Sequence, residues 1–445
     1  MSVRSPLAPL RAAPAELRSF DGTERTRGSR VRPERRHDLH DAVATGGPFI
    51  ARGAGLSYCA ASMGDGVTSI DMSRLDRVLA FDSERGEITV EPGISIGALT
   101  ELLGRRGRWL APLPGYPTIS VGGCVAFDVH GKSQFHSGNF GEWVTRLTLV
   151  HPAHGEITCS REQQRDVFDL TVGGMGLTGV INSVTLKTVP LPGDALEVES
   201  VAVRDVHEAV ALMQQSAGSV DCIYSWHNLQ RSSGFGPGVV FRERFVSARA
   251  AKRGRAFLPL WARAPVGFWT RPSAALALGA YGALQRDGRK RVLSLGQALF
   301  PIQGLELYYF AFGPQGLREY QLIVPEPRWP AFVDDLQALL ASARLPITLA
   351  SLKLFKGERR FLRFNGTGIC LALDVPAAPA AQGFFAALDE LALEHEASVN
   401  IAKDSRIDAE TCRRLFPEYA AFQSGLQAYD PARLCQSRLR ERIGV

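Results

Sequence analysis

The chain lacks the features by which several classes of protein are recognised. Its 445 residues include only seven cysteines, an odd number, and no CxxC pair. This argues against a disulfide framework, and no metal site is expected. No run of about 18 apolar residues occurs, so we expect no membrane-spanning helix. The net charge of +6 is mild and selects no class of partner by itself. What remains is an ordinary globular composition in a chain long enough for two or three domains.

The N-terminus also lacks the continuous apolar segment of a secretory signal peptide. Residues 1–19 are rich in Arg and Pro, and we expect them to form a disordered tail. We therefore expect a cytoplasmic location by default. Peripheral contact of the cytoplasmic protein with the inner membrane is a second possibility.

The remaining chain has the mixed pattern of an α+β protein. As far as about residue 190, short β-rich runs alternate with Gly-containing turns, and 95–107 has a helical pattern. VPLPGD at 189–194 is typical of a domain boundary. Strand-then-helix patterns follow at 201–218, 319–343 and 368–395, which predicts an antiparallel sheet covered by helices. We therefore predict a first domain over 20–190, a second over 191–395 and a C-terminal segment over 396–445.

Four Gly-centred stretches stand out in the first domain. They lie at 51–58, 113–124, 122–141 and 172–181, each next to a β-like run. Glycines let backbone N–H groups converge into a nest that binds anions. GMGLTG fits G-x-G-x-x-G, but a strand pattern follows it, which argues against a Rossmann motif. Convergence on one extended anionic ligand, such as a dinucleotide pyrophosphate, explains the four stretches jointly; plain turns are the alternative.

The order of these motifs adds a resemblance to a known family. ARGAGLSY, VEPG, VGGCVAFDVHGK, GNFG and GGMGLTGVINSVTL resemble the PCMH-type FAD-binding domain of the vanillyl-alcohol-oxidase superfamily. The stretch 121–141, together with LKLF, GIC and AKDSR, is similar to the decaprenylphosphoryl-β-D-ribose oxidase family. The resemblance covers about 30–445. It implies a two-subdomain FAD-binding domain and a substrate (cap) domain with an antiparallel sheet covered by helices.

The resemblance implies FAD as cofactor. In many relatives a histidine bound covalently to the flavin occupies the position of Leu56, so we expect non-covalent FAD here. The implied cofactor-binding residues are Arg52, Gly53, Ala54, Gly55, Leu56, Ser57, Tyr58, Gly115, Ser120, Gly122, Gly123, Phe127, Asp128, His130, Gly176, Val180, Ile181 and Asn400.

Three residues are candidates for the chemistry. Flavin oxidation of an alcohol needs a group that manages the hydroxyl proton. His130 and Lys132 are two residues apart, and on a strand both would point to one face. Lys403 in AKDSR matches a family lysine that reaches flavin and substrate. A core histidine and a solvated lysine are the plainer alternatives.

The second sheet is expected to cover the substrate. The resemblance implies substrate contacts for Lys353, Gln321, Tyr320 and Cys370, together with Lys403. The substrate wall departs from the family pattern, because Glu319 stands in place of a polar amide and Ala350 in place of an asparagine. The substrate can therefore differ from the decaprenylphosphoryl ribose of the resembled family.

An insert within the second domain, at 246–292, is basic and aromatic. Between 248 and 291 ten Lys or Arg accompany a single acid, Asp287, and five aromatic residues. This composition is typical of a membrane-surface element, and a mobile lid over the site is the alternative. We expect no nucleic-acid partner, since no nucleic-acid-binding signature accompanies the charge.

The combined interpretation is an FAD-dependent alcohol oxidoreductase. It would take hydride from a secondary hydroxyl of a sugar or polyprenyl-phosphate sugar to flavin N5, giving a keto sugar. This step is the first half of an epimerisation in the resembled family, with an NADH-dependent short-chain reductase as partner. A soluble aldonolactone or alditol oxidase using O₂ is one alternative. A flavin- or sugar-binding protein without turnover is another.

Overall fold

A computed structural model describes residues 10–44, 47–230, 235–248, 258–285 and 287–445. Within these ranges, no helix combines the length and apolar character needed to cross a bilayer. Residues 249–257, the most basic part of the predicted insert, lie outside the described residues, as do residues 1–9 of the predicted tail.

The first sheet contains part of the predicted tail. It has the order β1-β2-β4-β3 and comprises β1 (Ala13–Arg18), β2 (Arg25–Val31), β3 (Phe49–Arg52) and β4 (Thr68–Asp71). Disorder through residue 19 is therefore wrong for 13–18. These residues pair with β2 along their whole length, so their stability comes from a partner strand and not from an apolar pattern of their own.

The second sheet is antiparallel and lies beside the first. Its order is β5-β6-β10-β8-β9, with β5 (Val78–Asp82), β6 (Glu87–Val90), β8 (Val144–His151), β9 (Gly155–Cys159) and β10 (Val180–Lys187). A two-stranded ribbon joins β7 (Arg108–Trp109) to β11 (Val189–Pro190). Among the described residues, the α-helices that accompany these sheets are α1 (Asp38–Val43), α2 (Ile96–Arg105), α3 (Val121–Ala126), α4 (Gln134–Ser137) and α5 (Arg165–Thr171).

Helix α2 confirms the helix expected over 95–107. The Ser95 hydroxyl accepts a hydrogen bond from the Ala98 N–H, which caps the helix. Ile96, Leu99 and Leu103 are buried at helical spacing. The Gly-rich stretch 122–141 contains most of α3 and all of α4.

The third sheet confirms the predicted helix-covered antiparallel sheet, and the fold is α+β. Its order is β15-β12-β14-β13-β17-β18-β16-β19. The strands are β12 (Ala195–Val203), β13 (Cys222–His227), β14 (Gly238–Val246), β15 (Arg289–Ser294), β16 (Leu317–Val324), β17 (Leu349–Phe355), β18 (Gly368–Pro376) and β19 (Ser398–Val399). The helices from here to the C-terminus are α6 (Val206–Ser216), α7 (Arg271–Leu284), α8 (Leu295–Leu299), α9 (Leu307–Phe310), α10 (Trp329–Ala343), α11 (Pro379–Glu394), α12 (Ala409–Leu415), α13 (Tyr419–Tyr429) and α14 (Arg438–Ile443).

Side chains on β16, β17 and β18 alternate between two environments, as a pleated sheet requires. One set, including Leu322, Leu352 and Leu373, packs in the same core as Phe332 of α10 and Phe385 of α11. The other set, which includes Gln321, Lys353 and Asp374, faces the loops of the first domain. This second face forms one wall of a cavity of about 330 Å³.

The C-terminal segment connects the third sheet to the first. Strand β19 pairs with β16, whereas the backbone of Cys435 forms an isolated β-bridge with Phe49 of β3. The buried Arg440 donates to Asp430 at 2.9 Å. The chain after residue 396 therefore passes the cavity before it packs on the first sheet. The predicted domain limits at 190 and 396 stay predictions.

Candidate active site

A cavity of about 330 Å³ lies between the Gly-rich loops of the first domain and the third sheet. Its size is within the range of roughly 300–1,000 Å³ that is usual for small-molecule sites. One wall is formed by the loop after β3, the turn before α3 and the loop between α5 and β10. The opposite wall is formed by β16, β17, β18 and residues 400–403.

The loop over 53–57 presents a row of backbone donors to this cavity. None of the N–H groups of Ala54, Gly55, Leu56 and Ser57 has a hydrogen-bond acceptor among the described residues. Gly55 has a φ of +68°, a conformation that favours glycine. Consecutive free N–H groups around a positive-φ residue form an anion-binding nest. The loop therefore fits a phosphate-bearing cofactor such as FAD.

Fifteen of the predicted cofactor-binding residues line the cavity. They are Gly53, Ala54, Gly55, Leu56, Ser57, Tyr58, Gly115, Ser120, Gly122, Gly123, Phe127, His130, Gly176, Ile181 and Asn400. The convergence of the Gly-rich stretches on one site is thus what the structure shows. The stretch at 172–181 lies between helix α5 and strand β10, with no helix after it, which agrees with the rejection of a Rossmann motif.

Three predicted cofactor residues lie behind the wall and do not line it. Arg52 donates to Ser62 Oγ at 3.0 Å, and Val180 is buried in the core of β10. The Asp128 carboxylate accepts from the Gly141 N–H at 2.7 Å, and burial raises its pKa. These residues support the loops from behind.

His130 belongs to a polar chain on the sheet side of the cavity. Asn400 Nδ2 donates to Gln321 Oε1 at 2.6 Å, which directs the Gln321 amide nitrogen toward His130 Nε2 at 3.4 Å. Lys353 Nζ lies 3.4 Å from the same imidazole nitrogen. Desolvation and the neighbouring Lys353 charge lower the pKa of His130 well below 6.5. His130 is therefore neutral at pH 7, with Nε2 as an acceptor.

Lys132 also lines the cavity, but its side chain contacts other residues than His130 does. Its ammonium is 3.0 Å from Glu243 Oε1, donates to the Ala298 carbonyl and lies 4.1 Å from the centre of the Tyr224 ring. The expectation that the two residues share a strand face is wrong. Residues 127–133 form a loop after α3, so the two-residue period of a strand does not apply.

Lys403 lies at the edge of the same cavity. Its Nζ is 3.0 Å from Glu319 Oε2 and 4.1 Å from the centre of the Tyr58 ring. The ring lies in the first domain's loop and the carboxylate on β16, so Lys403 is held at the junction of the two walls. An ammonium at this place can donate hydrogen bonds into the cavity.

An acidic pair accompanies Lys403, and sequence reasoning missed one of its members. Asp374 on β18 is the register partner of Glu319 on β16, and both line the cavity. Tyr308 Oη donates to Asp374 Oδ2 at 2.7 Å. Burial, followed by the Glu319 charge, raises the pKa of Asp374 to about 8. Strand alternation places position 374 on the same sheet face as position 372, and this was the available signal.

The other predicted substrate contacts divide between the two sheet faces. Lys353 and Gln321 line the cavity, and desolvation lowers the pKa of Lys353. Cys370 is fully buried beneath Gln321, whose amide nitrogen lies 3.5 Å from its Sγ. Tyr320 points to the helices, where its hydroxyl donates to Asp389 at 2.8 Å. A substrate contact for Tyr320 is therefore wrong, because alternation turns it away from the cavity.

Strand alternation also turns Ala350 away from the cavity. It is fully buried against the helix layer, and its neighbour Ser351 lines the cavity instead. The replacement of asparagine by alanine at this position therefore leaves the cavity wall itself unchanged.

Comparison with known proteins decides the class. Residues 31–160 match the model of the FAD binding domain. The chain is 26% identical, over 88% of both chains, to a decaprenylphosphoryl-β-D-ribose oxidase of Mycolicibacterium smegmatis. The chain is an FAD-dependent oxidoreductase. It is also 28% identical to an uncharacterised protein of Streptomyces coelicolor, over 79% of this chain and all of the other.

The oxidoreductase also resembles lactone oxidases over part of its length. It is 34% identical to mouse L-gulonolactone oxidase over 27% of each chain. These matches confirm the resemblance found in the motifs, and they agree with the free N–H groups of the loop over 53–57 as a cradle for the cofactor phosphates.

Proposed function

We propose that this enzyme oxidises a secondary hydroxyl of a sugar or polyprenyl-phosphate sugar to a ketone, with FAD held non-covalently. The observation that carries the proposal is the arrangement of one cavity. Its first wall has the loops that fit FAD and also carries the neutral His130, which contacts Lys353 of the second wall, where Lys403 also lies. FAD, when bound, supplies the hydride acceptor.

The side chains of the second wall would orient the alcohol and manage its proton. Lys403 donates to the hydroxyl oxygen from the junction of the two walls. Lys353 has a lowered pKa, which brings an amine closer to the range in which it accepts a proton near neutral pH. His130 Nε2, 3.4 Å away, is the adjacent acceptor. Gln321 fixes this arrangement through its bond to Asn400.

Non-covalent FAD is supported by Leu56, which lines the cavity at the position where many members of the resembled superfamily carry the linking histidine. A leucine side chain has no nucleophile with which to form a bond to the flavin.

Flavin bleaching tests the proposal. Purified holoenzyme is mixed with candidate sugars without oxygen, and the flavin absorbance is followed. Bleaching by a sugar with an oxidisable secondary hydroxyl supports an enzyme, whereas binding without bleaching by any member supports the binding-protein alternative. Oxygen uptake during turnover would favour the second candidate, a lactone or alditol oxidase, which the match to mouse L-gulonolactone oxidase brings into view. Consumption of the keto product by an NADH-dependent short-chain reductase would complete an epimerisation.

We also propose contact with an anionic lipid surface through α7. This helix has no charged side chain after Arg271, and Leu276 and Leu284 on it are 74% and 68% exposed. Basic residues flank the helix at Arg271 and at Arg289 of β15. Apolar side chains framed by cations are typical of a membrane-surface helix.

Vesicle sedimentation tests this contact. The double variant L276D/L284D is expected to lose binding to vesicles that contain phosphatidylglycerol, and Leu79→Asp on β5 serves as the control. Equal sedimentation of wild type and double variant would exclude α7 as the contact.

A further inference from the structure

The acidic pair Glu319–Asp374 is a feature that the proposed oxidation does not itself require. The two residues are register partners on adjacent strands and are only 7% and 5% exposed. Lys403 occupies Glu319 Oε2, and Tyr308 occupies Asp374 Oδ2. The second oxygen of each carboxyl group, Glu319 Oε1 and Asp374 Oδ1, has no hydrogen-bond partner among the described residues. Two acid groups with free oxygens thus form part of the cavity wall.

A single shared proton would allow this pair both to donate and to accept hydrogen bonds, as a hydroxyl group requires of its binding site. Register partners on adjacent antiparallel strands have side chains about 5 Å apart at Cβ, and two carboxylates this close do not ionise together readily. The pKa of Asp374, raised to about 8, agrees with one proton remaining on the pair near neutral pH. A pair with one proton offers both a donor and an acceptor. A sugar hydroxyl needs both, whereas a phosphoryl group needs donors only.

The lysines that line the cavity do not form a phosphate site that would offset the effect of the acidic pair. Lys132 is paired with Glu243 at 3.0 Å, and Lys403 with Glu319 at 3.0 Å. Among the described residues that line the cavity, Lys353 is the one lysine without a carboxylate within 4 Å. An amino group on the substrate would place a further positive charge beside these three lysines.

We propose that the Glu319–Asp374 pair binds hydroxyl groups of an uncharged sugar, polyol or aldonolactone and selects against phosphorylated substrates. The inference rests on the proposed function, since it narrows the substrates proposed for the same cavity to the uncharged sugar and excludes the polyprenyl-phosphate sugar. It also gives a role to Glu319, which stands where the resembled family has an amide.

Ligand binding to the oxidised holoenzyme tests the inference without turnover. Ribose, ribitol and ribono-1,4-lactone are compared with their 5-phosphates and with 2-amino-2-deoxyribose, by calorimetry and by the shift of the flavin spectrum. We expect at least one uncharged ligand to bind about ten-fold or more tightly than its phosphate, because like charges brought together in a site are strongly unfavourable. Glu319→Gln is expected to reduce this ratio about ten-fold. Glu326→Gln, an exposed acid just after β16, is expected to leave it unchanged.

Each outcome decides the inference. Equal or tighter binding of the phosphates, exclusive binding of the amino sugar, or no binding of any uncharged member would overturn it. An unchanged ratio in Glu319→Gln would do the same. If that variant does not fold, Asp374→Asn provides the same comparison. Selective binding of uncharged ligands with no flavin bleaching would reject the oxidase function but leave the substrate preference in place.

Discussion

Replacement of Lys403 by methionine separates its electrostatic role from its chemical one. The ammonium lies 3.0 Å from Glu319 Oε2, and the two side chains are 32% and 9% exposed. Loss of a partner from a fully buried pair costs about 3–5 kcal/mol, and an exposed pair contributes about 0–1 kcal/mol. Since Lys403 is about one-third exposed, we expect Lys403→Met to lower the free energy of unfolding by about 1–3 kcal/mol.

The same variant should retain FAD and lose activity. Leu56 and the rest of the loop over 53–57 do not involve Lys403, so the protein should stay yellow. Turnover should fall by about 10²–10⁴, the usual effect of losing a positioned proton-transfer group. Flavin content, melting temperature and the rate of flavin bleaching by the best substrate measure the three effects separately.

A double variant and a control make the experiment decisive. Glu319→Gln added to Lys403→Met removes the unpaired carboxylate, so the melting temperature should recover while turnover stays low. Lys356→Met, an exposed lysine just after β17, should change neither property. Near-normal turnover in Lys403→Met would refute the reasoning. Recovery of turnover in the double variant would show that Lys403 acts only by neutralising Glu319.

Three further outcomes are expected. Gly55→Ala should lower FAD occupancy and the melting temperature, because φ is +68° and a Cβ there would collide with the Arg52 guanidinium; Gly218→Ala, with open space around it, is the control, and unchanged occupancy would contradict the nest. The folded pKa of Asp374, about 8, lies above its ordinary value of 3.8, so the folded state holds an extra proton between these values and wild-type stability falls as pH rises through this window. The melting temperature of Asp374→Asn relative to wild type should therefore increase from pH 6 to pH 9, and parallel profiles would contradict the shift. Acid precipitation should release FAD into the supernatant, and yellow colour retained in the pellet would show a covalent link despite Leu56.

Local patterns determined most of what the sequence could predict. The apolar spacing and serine cap of α2 depend on residues within one helix, so 95–107 was predictable. The three strand-then-helix units gave the helix-covered sheet for the same reason. The strand over 13–18 was not predictable, because its pairing with β2 provides its hydrogen bonds.

At the site, motif order identified the Gly-rich loops as FAD-binding, and most of their residues line the cavity. The errors concern side-chain direction. Lys132 was assigned to a strand that is a loop, and Tyr320 to the wrong face of β16. The register of β16 against β18 brings Glu319 beside Asp374, and this juxtaposition joins residues 55 positions apart.

The sequence by itself indicated the cofactor class through the resemblance of its motifs to a known family, because these motifs are encoded within short contiguous stretches. Only the tertiary structure decided which charges meet across the cavity. The ion pairs Lys132–Glu243 and Lys403–Glu319 join separate elements, and their strength depends on burial that only the assembled sheets provide. The proposed preference among substrates depends on these long-range pairings, whereas the capacity to hold FAD depends on the loops.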